Sequence, residues 1–212
     1  AKAINCENFK DEACDECNNC KQYLSQNHPD IIEMDAASNN GVDDIRRIVE
    51  EIPYAPILGK YKVYIIDEVH MLTTQAFNAL LKTLEEPPKH VIFILATTEY
   101  HKVPLTITSR CQKFQFSKLS NDLNVKKLRE IADNEKIDIT DDALYEIAKI
   151  SDGGMRDSIN FLDQLRSYKN GNITVDDVYY VCGNVSFNEI SNLLTEINNY
   201  FREYLKLNSE LI

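Results

Sequence analysis

The sequence predicts an α/β domain built on a parallel sheet, followed by a small all-helical domain. Three short apolar runs, DIIEM from Asp30, YKVYII from Tyr61 and HVIFIL from His90, are continuous rather than alternating. That pattern suits strands covered on both faces. Helical patterns lie between the runs, so the order reads β-α-β-α-β. From about Leu119 onward every periodic segment is helical, which carries the second half of the prediction.

Taken in order, the chain opens at Ala1 without a methionine. AKAI is helix-compatible with nothing upstream to cap it, and reads as the start of an excised fragment. Cys6, Cys14, Cys17 and Cys20 follow in CENFKDEACDECNNC, a C-x7-C-x2-C-x2-C spacing. Four thiols this dense suit tetrahedral zinc, and a shell of four thiolates leaves no position for water. The expectation is a structural zinc knuckle over residues 6–20. A disulfide framework is the rival, and it needs an oxidising compartment to which nothing else in the chain points. Cys111 and Cys182 stand alone among apolar neighbours and read as buried core thiols.

GVDDIRRIVEEI places Val42, Ile45, Val49 and Ile52 on one side of a helix. AFNALLKTL does the same with Phe77, Leu80, Leu81 and Leu84 before Pro87 and Pro88 stop it. In parallel sheets, ligands collect outside the carboxyl ends of the strands. Asp67 and Glu68 follow the second run, and Thr97 and Thr98 follow the third. Because parallel strands share an edge, the two pairs should lie close together. An acid pair beside a hydroxyl suits a nucleotide site, one carboxylate serving Mg²⁺ and the other orienting or deprotonating a water. The plainer reading has Asp67 cap a helix beginning near Thr73, with Thr98 as a turn residue.

Arg110, in SRC, ends a short helical piece that Pro104 can start, and precedes CQKFQF, read as a strand. An arginine there is ordinarily a solvated side chain. Arg156, in SDGGMRDSINFLDQL, opens a helix whose apolar positions include Ile159, Leu162 and Leu165. Its rival reading is a salt bridge with Asp152 or Asp157. Further helices are read at NDLNVKKLREIADNE, DDALYEIAKIS and TVDDVYYVCG, where Thr174 and Asp177 form a capping box. FNEISNLLTEINNYFREYLKL is amphipathic.

The totals bound what this chain does. With 212 residues and 43% apolar content it can bury a sizeable core. A net charge of −11 excludes a protein coated in nucleic acid, so any contact with DNA is local. No apolar stretch reaches the roughly 18 residues of a membrane span, and the start lacks a signal peptide's plan. A soluble, intracellular protein is expected.

Together, IIDEVHMLTTQAFNALLKTLEEPP, ILATTEYHKVPLTITSRCQKFQF, GGMRDS and EMDAASNNGVDDIR resemble the bacterial clamp-loader ATPases, the gamma/tau subunits of DNA polymerase III. These are AAA+ proteins. The likeness runs from the cysteines to about Gly183 in the family's order. It implies an AAA+ core with an inserted zinc knuckle over 1–118, a helical lid over 119–182, and the start of a helical collar over 183–212. It makes Asp67 the Walker B aspartate that serves Mg²⁺ and Glu68 the catalytic glutamate. Thr98 becomes the sensor 1 residue near the γ-phosphate. Arg110 becomes the arginine finger reaching into a neighbouring subunit's site, and Arg156 the sensor 2 arginine of the lid.

The resemblance further implies ATP and Mg²⁺ as ligands of the full-length protein, and zinc as a structural ion. The implied partners are the delta and delta-prime subunits, further gamma/tau copies, the sliding clamp and primer-template DNA, in the bacterial cytoplasm and away from membrane. Lys82 and Lys102 match positions that meet DNA, though either also reads as a solvated charge. Asn39, Asn40 and Gly41 stand where family members often carry basic residues. No G-x-x-x-x-G-K-[ST] phosphate loop occurs in the 212 residues. The family places that loop, with the first strand, upstream of the cysteines, so these residues alone are expected to bind ATP poorly. Two alternatives stay open: a delta-prime-like, ATP-silent subunit, against which the intact DEVH speaks, and a zinc-containing interaction scaffold.

Overall fold

Three strands, β1 (Ile31–Asp35), β2 (Lys62–Asp67) and β3 (Val91–Leu95), pair in parallel in the order β1-β2-β3. The structure, a computed structural model, describes residues 1–183 and 187–209. The chain divides into two units, Ala1–Phe114 and Gln115–Ile212.

In the first unit, β2 is the buried centre of the sheet, as its unbroken apolar run requires. The connections are α2 (Val42–Glu51) and α3 (Thr74–Glu85), which pack together. Ile45, Ile48 and Ile52 of the first connection join Ala76, Phe77 and Leu80 of the second around Tyr64 and Ile66. Ile48, not Val42, completes the buried stripe of α2, while Val49, Leu81 and Leu84 are partly buried against it. Thr73 caps α3 with its own hydroxyl, accepting from Ala76 N–H at 3.2 Å. The helix therefore does not draw on Asp67 for a cap.

The cysteine segment leads into α1 (Asn18–Leu24) and is tied to the amino ends of the strands. The Asn5 side chain receives the Tyr61 N–H at 2.8 Å and donates to the Tyr61 carbonyl at 2.9 Å. A Cβ on Gly59 would come within 2.8 Å of Asn5, so this approach requires glycine. Asp30, fully buried, accepts N–H bonds from Ile57, Leu58 and Gly59 at 2.6–2.7 Å. Since β2 spans roughly 20 Å at about 3.3 Å per residue, this anchorage lies at the opposite end of the strands from Asp67.

Further sequence expectations are corrected by the structure. Arg110 lies beyond α4 (Leu105–Thr108) rather than within it, and CQKFQF forms no strand. Its residues have strand propensity, but a strand needs a ladder partner, and none pairs with them among the described residues. Phe114 and Phe116 are exposed instead. Cys111 and Cys182 are half-buried rather than buried, each against the apolar cluster of its own unit.

The second unit is helical: α5 (Asn121–Glu135), α6 (Asp141–Ile150), α7 (Met155–Tyr168), α8 (Val175–Cys182) and α9 (Phe187–Ser209). Leu128, Ala132, Leu144, Ile147, Leu162 and Leu165 form its core, while Ile159 is 38% exposed. The capping box is present, the Asp177 carboxylate accepting from Thr174 N–H at 2.8 Å. Parts of the expected collar segment, 184–186 and 210–212, lie outside the described residues.

Candidate functional site

The parallel register aligns Asp35 with Asp67 and Ile66 with Leu95, so the three strands deliver their following residues to one edge. Glu68 turns the chain there. Its backbone is left-handed (φ 46°, ψ 43°), a conformation costing a non-glycine residue about 1 kcal/mol or more. The turn is held because Val69 N–H bonds the Ala96 carbonyl at 2.9 Å and Glu68 N–H bonds Asp67 Oδ1 at 2.9 Å. The acid pair thus emerges at the carboxyl edge with Asp67 exposed.

Glu68 meets Thr98 across the edge. Thr98 donates its hydroxyl to Glu68 Oε2 at 3.1 Å, and its N–H reaches the same oxygen at 3.4 Å. His70, with a side chain only 7% exposed, stands 3.2 Å from Glu68 Oε2 on one nitrogen and 3.2 Å from Glu99 Oε2 on the other. Nδ1 of His70 is also hydrogen-bonded to Thr97 Oγ1 at 2.9 Å. The Lys102 ammonium, 2.6 Å from Glu99, holds that carboxyl below its usual range. The structure therefore brings Asp67, Glu68 and Thr98 together, with His70 behind them.

Arg110 is elsewhere on the first unit, its guanidinium paired with Glu85 and the Thr106 carbonyl. Lys82 is exposed near the end of α3, whereas Lys102 is engaged by Glu99. Arg156 belongs to the second unit, in the first turn of α7. It is exposed and has no ion pair among the described residues: Asp152 pairs with Lys118 instead. The rival salt-bridge reading is thus not what the structure contains.

The four front cysteines form a candidate metal centre. Their sulfurs all lie within 4.8 Å of one another, and no disulfide joins them. Backbone N–H groups of Cys14, Cys17 and Cys20 point at the sulfurs of Cys6, Cys14 and Cys17 at 3.3–3.4 Å, as thiolates require. The N–H groups of Cys17 and Glu16 bring the Cys14 thiol down to about 6, while burial first, and the Cys17 thiol next, push Cys20 up to about 12. A bound cation would offset the cost of ionising Cys20. The donor set and its spacing fit one tetrahedral metal ion.

Sequence models of known families match along most of this chain. One described as "DNA polymerase III, delta subunit" covers residues 1–120, and one described as "DNA polymerase III clamp loader subunit, ATPase lid domain" covers 125–171. The chain belongs to the DNA polymerase III clamp-loader subunits. Bacillus subtilis DNA polymerase III subunit tau is 52% identical over 88% of this chain and 33% of its own length. The gamma/tau subunit of Mycoplasma genitalium is 49% identical over 84% of this chain and 30% of its own length. The Escherichia coli tau subunit is 40% identical over 92% of this chain and 30% of its own length. The chain thus spans about a third of these clamp-loader relatives. Among solved structures, the Thermotoga maritima RuvB Holliday junction branch migration motor shares the fold alone. Its TM-score is 0.60 at 19% identity, over 77% of this chain and 55% of that one. With its helical second unit, the parallel three-stranded domain is an AAA+ architecture.

For a clamp-loader subunit read from its sequence, two neighbours of the site escape notice, His70 and Glu99, as does Glu85, the partner of Arg110. A histidine directly after DEV is visible in the sequence, but its burial between two carboxylates is not. Asp35 also reaches the edge, where it serves the chain itself, accepting from Ala37 N–H at 2.8 Å and Ser38 Oγ at 2.7 Å.

Proposed function

We propose that this chain is the catalytic portion of an ATP-hydrolysing clamp-loader subunit of the gamma/tau kind. In it, ATP binding and hydrolysis drive placement of the sliding clamp on primed DNA in the bacterial cytoplasm. The observation that carries this reading is the bond between Glu68 and Thr98 beside Asp67 at the carboxyl edge of the sheet. An ATP-silent subunit or a pure scaffold has no use for such a cluster, least of all on a strained backbone.

Mg²⁺ bound with ATP supplies neutralisation of phosphate charge, and Asp67 is the carboxylate suited to hold it. Glu68 orients a water and takes up its proton, leaving Oε1 for that work because Oε2 is engaged by Thr98. The Thr98 hydroxyl has one proton. Donated to a phosphate oxygen, it leaves Glu68, so nucleotide arrival and release of the glutamate become linked.

Arg156 is the phosphate-sensing arginine, and its lack of an ion pair among the described residues supports a group awaiting an anion. Arg110 serves the site of a neighbouring subunit, with delta, delta-prime and further gamma/tau copies as ring partners. Cys6, Cys14, Cys17 and Cys20 hold a structural zinc ion, remote from the chemistry. Lys82 is the better candidate for a DNA phosphate contact, since Lys102 is already engaged.

In the full-length protein within the assembled loader, Glu68→Gln is expected to keep ATP binding and to lower turnover by about 100-fold or more. Unchanged turnover would overturn the reading. The 212 residues alone, with no phosphate loop among them, are expected to show no micromolar affinity in a titration with a fluorescent ATP analogue.

A further inference from the structure

Arg156 sits at the end of a framework that the ATPase reading does not use. The turn before α7 is built from Ser151, Asp152, Gly153 and Gly154, with Gly154 as the helix's N-cap residue. One side of the turn is closed by the segment leading into α5. Lys118 pairs with Asp152, and Leu119 N–H reaches the Gly153 carbonyl at 3.4 Å. Gly153 is left-handed (φ 81°), and a Cβ there would meet Lys118 Cβ at 2.7 Å and the Leu119 carbonyl oxygen at 2.9 Å.

The other side is closed from within the core. Asn124 of α5 and Ser158 of α7 are both fully buried. The Ser158 hydroxyl donates to the Gly154 carbonyl at 2.9 Å, so its oxygen must accept from Asn124 Nδ2, at 2.8 Å. This direction fixes the amide, and Asn124 Oδ1 is left buried without a partner among the described residues. An asparagine with an unsatisfied oxygen is a poor choice for stability alone, because an apolar pair of similar volume avoids that penalty. What the bridge does supply is geometry: it joins the body of the helical unit to the residue two places before Arg156.

We infer that Asn124 and Ser158 are positioning residues for Arg156, holding the first turn of α7 so that an exposed guanidinium, without an ion pair among the described residues, is presented from a fixed base. The inference rests on the reading of Arg156 as the phosphate-sensing residue. It requires no contact between the bridge and the nucleotide. Its consequence is that ATP affinity responds to a buried polar pair in the helical unit, and does so only through Arg156.

The test uses the full-length protein in the assembled loader. Asn124→Leu/Ser158→Ala replaces the bridge by an apolar pair. The expected result is a melting temperature close to that of the parent, KM for ATP raised about threefold to tenfold, and a smaller change in kcat. Placed on Arg156→Ala, the same pair should add nothing. Should the double variant melt early, Ser158→Thr and Ser158→Val carry the test, being alike in shape and different only in the hydroxyl. The threonine should keep the parental KM and the valine should raise it. If Arg156→Ala raises KM while loss of the bridge does not, the inference is wrong and the sensing role stands. An equal effect with and without Arg156 overturns it as well. If Arg156→Ala leaves KM unchanged, the sensing role fails first and the inference with it.

Discussion

Arg110 is held by Glu85 of its own chain, Nη2 against Oε1, while Nη1 bonds the Thr106 carbonyl. The two side chains are 32% and 50% exposed, and a pair this open contributes no more than about 1 kcal/mol. It steadies the guanidinium without locking it, which suits the role proposed for Arg110, in which it would exchange this internal partner for one on another subunit.

From this relationship, Arg110→Ala in the assembled loader should leave ATP binding largely intact and depress hydrolysis by about 100-fold or more. Glu85→Gln should change unfolding free energy by less than about 1 kcal/mol and leave turnover near the parental value. Steady-state hydrolysis and denaturant melts check both. Parental turnover in Arg110→Ala would remove its role in the neighbouring site.

Asp30 offers a test of the anchorage beneath the sheet. Burial alone would raise its carboxyl, but N–H bonds from Gly59, Ile57 and Leu58, with His28 beside it, hold it below the usual carboxylate range. A carboxyl depressed in the folded state contributes stability above its unfolded value and loses it as pH falls through the folded one. The parent should therefore weaken below about pH 4. Asp30→Asn, which sets a donor against donors, should cost about 2–4 kcal/mol near neutrality and lack that part of the acid limb. Urea melts across the acid range measure both effects.

The cysteine centre should hold about one equivalent of zinc in freshly purified protein, read by metal analysis with the thiols counted in parallel. Cys20→Ser should abolish the metal and lower the melting temperature, because Cys20 is fully buried and its helix carries Asn19, which is hydrogen-bonded to Glu7 at 3.0 Å and to the buried His28 at 2.9 Å. Less than about half an equivalent, with four free thiols, would rule out the zinc assignment.

Much of this arrangement was legible from residues alone. Continuous apolar runs separated by helical patterns imply parallel strands. Parallel strands put Asp67, Glu68 and Thr98 on one edge whatever the rest of the chain does. The bond from Thr98 to Glu68 was less legible, since it depends on the left-handed turn at Glu68. CQKFQF misled because its residues favour a strand, while pairing depends on a partner elsewhere.

By itself the sequence determined the order of the three strands and the helices between and after them, the clustered thiols and the family. Each is a property of residues a few places apart. Tertiary structure alone decided that His70 is enclosed by Glu68 and Glu99, that Glu85 receives Arg110, and that Asn124 reaches Ser158. Those partners are brought together by packing between elements rather than by local backbone preference. A short window of sequence constrains dihedral angles and exposed faces, and the distances between remote side chains arise only when the core closes.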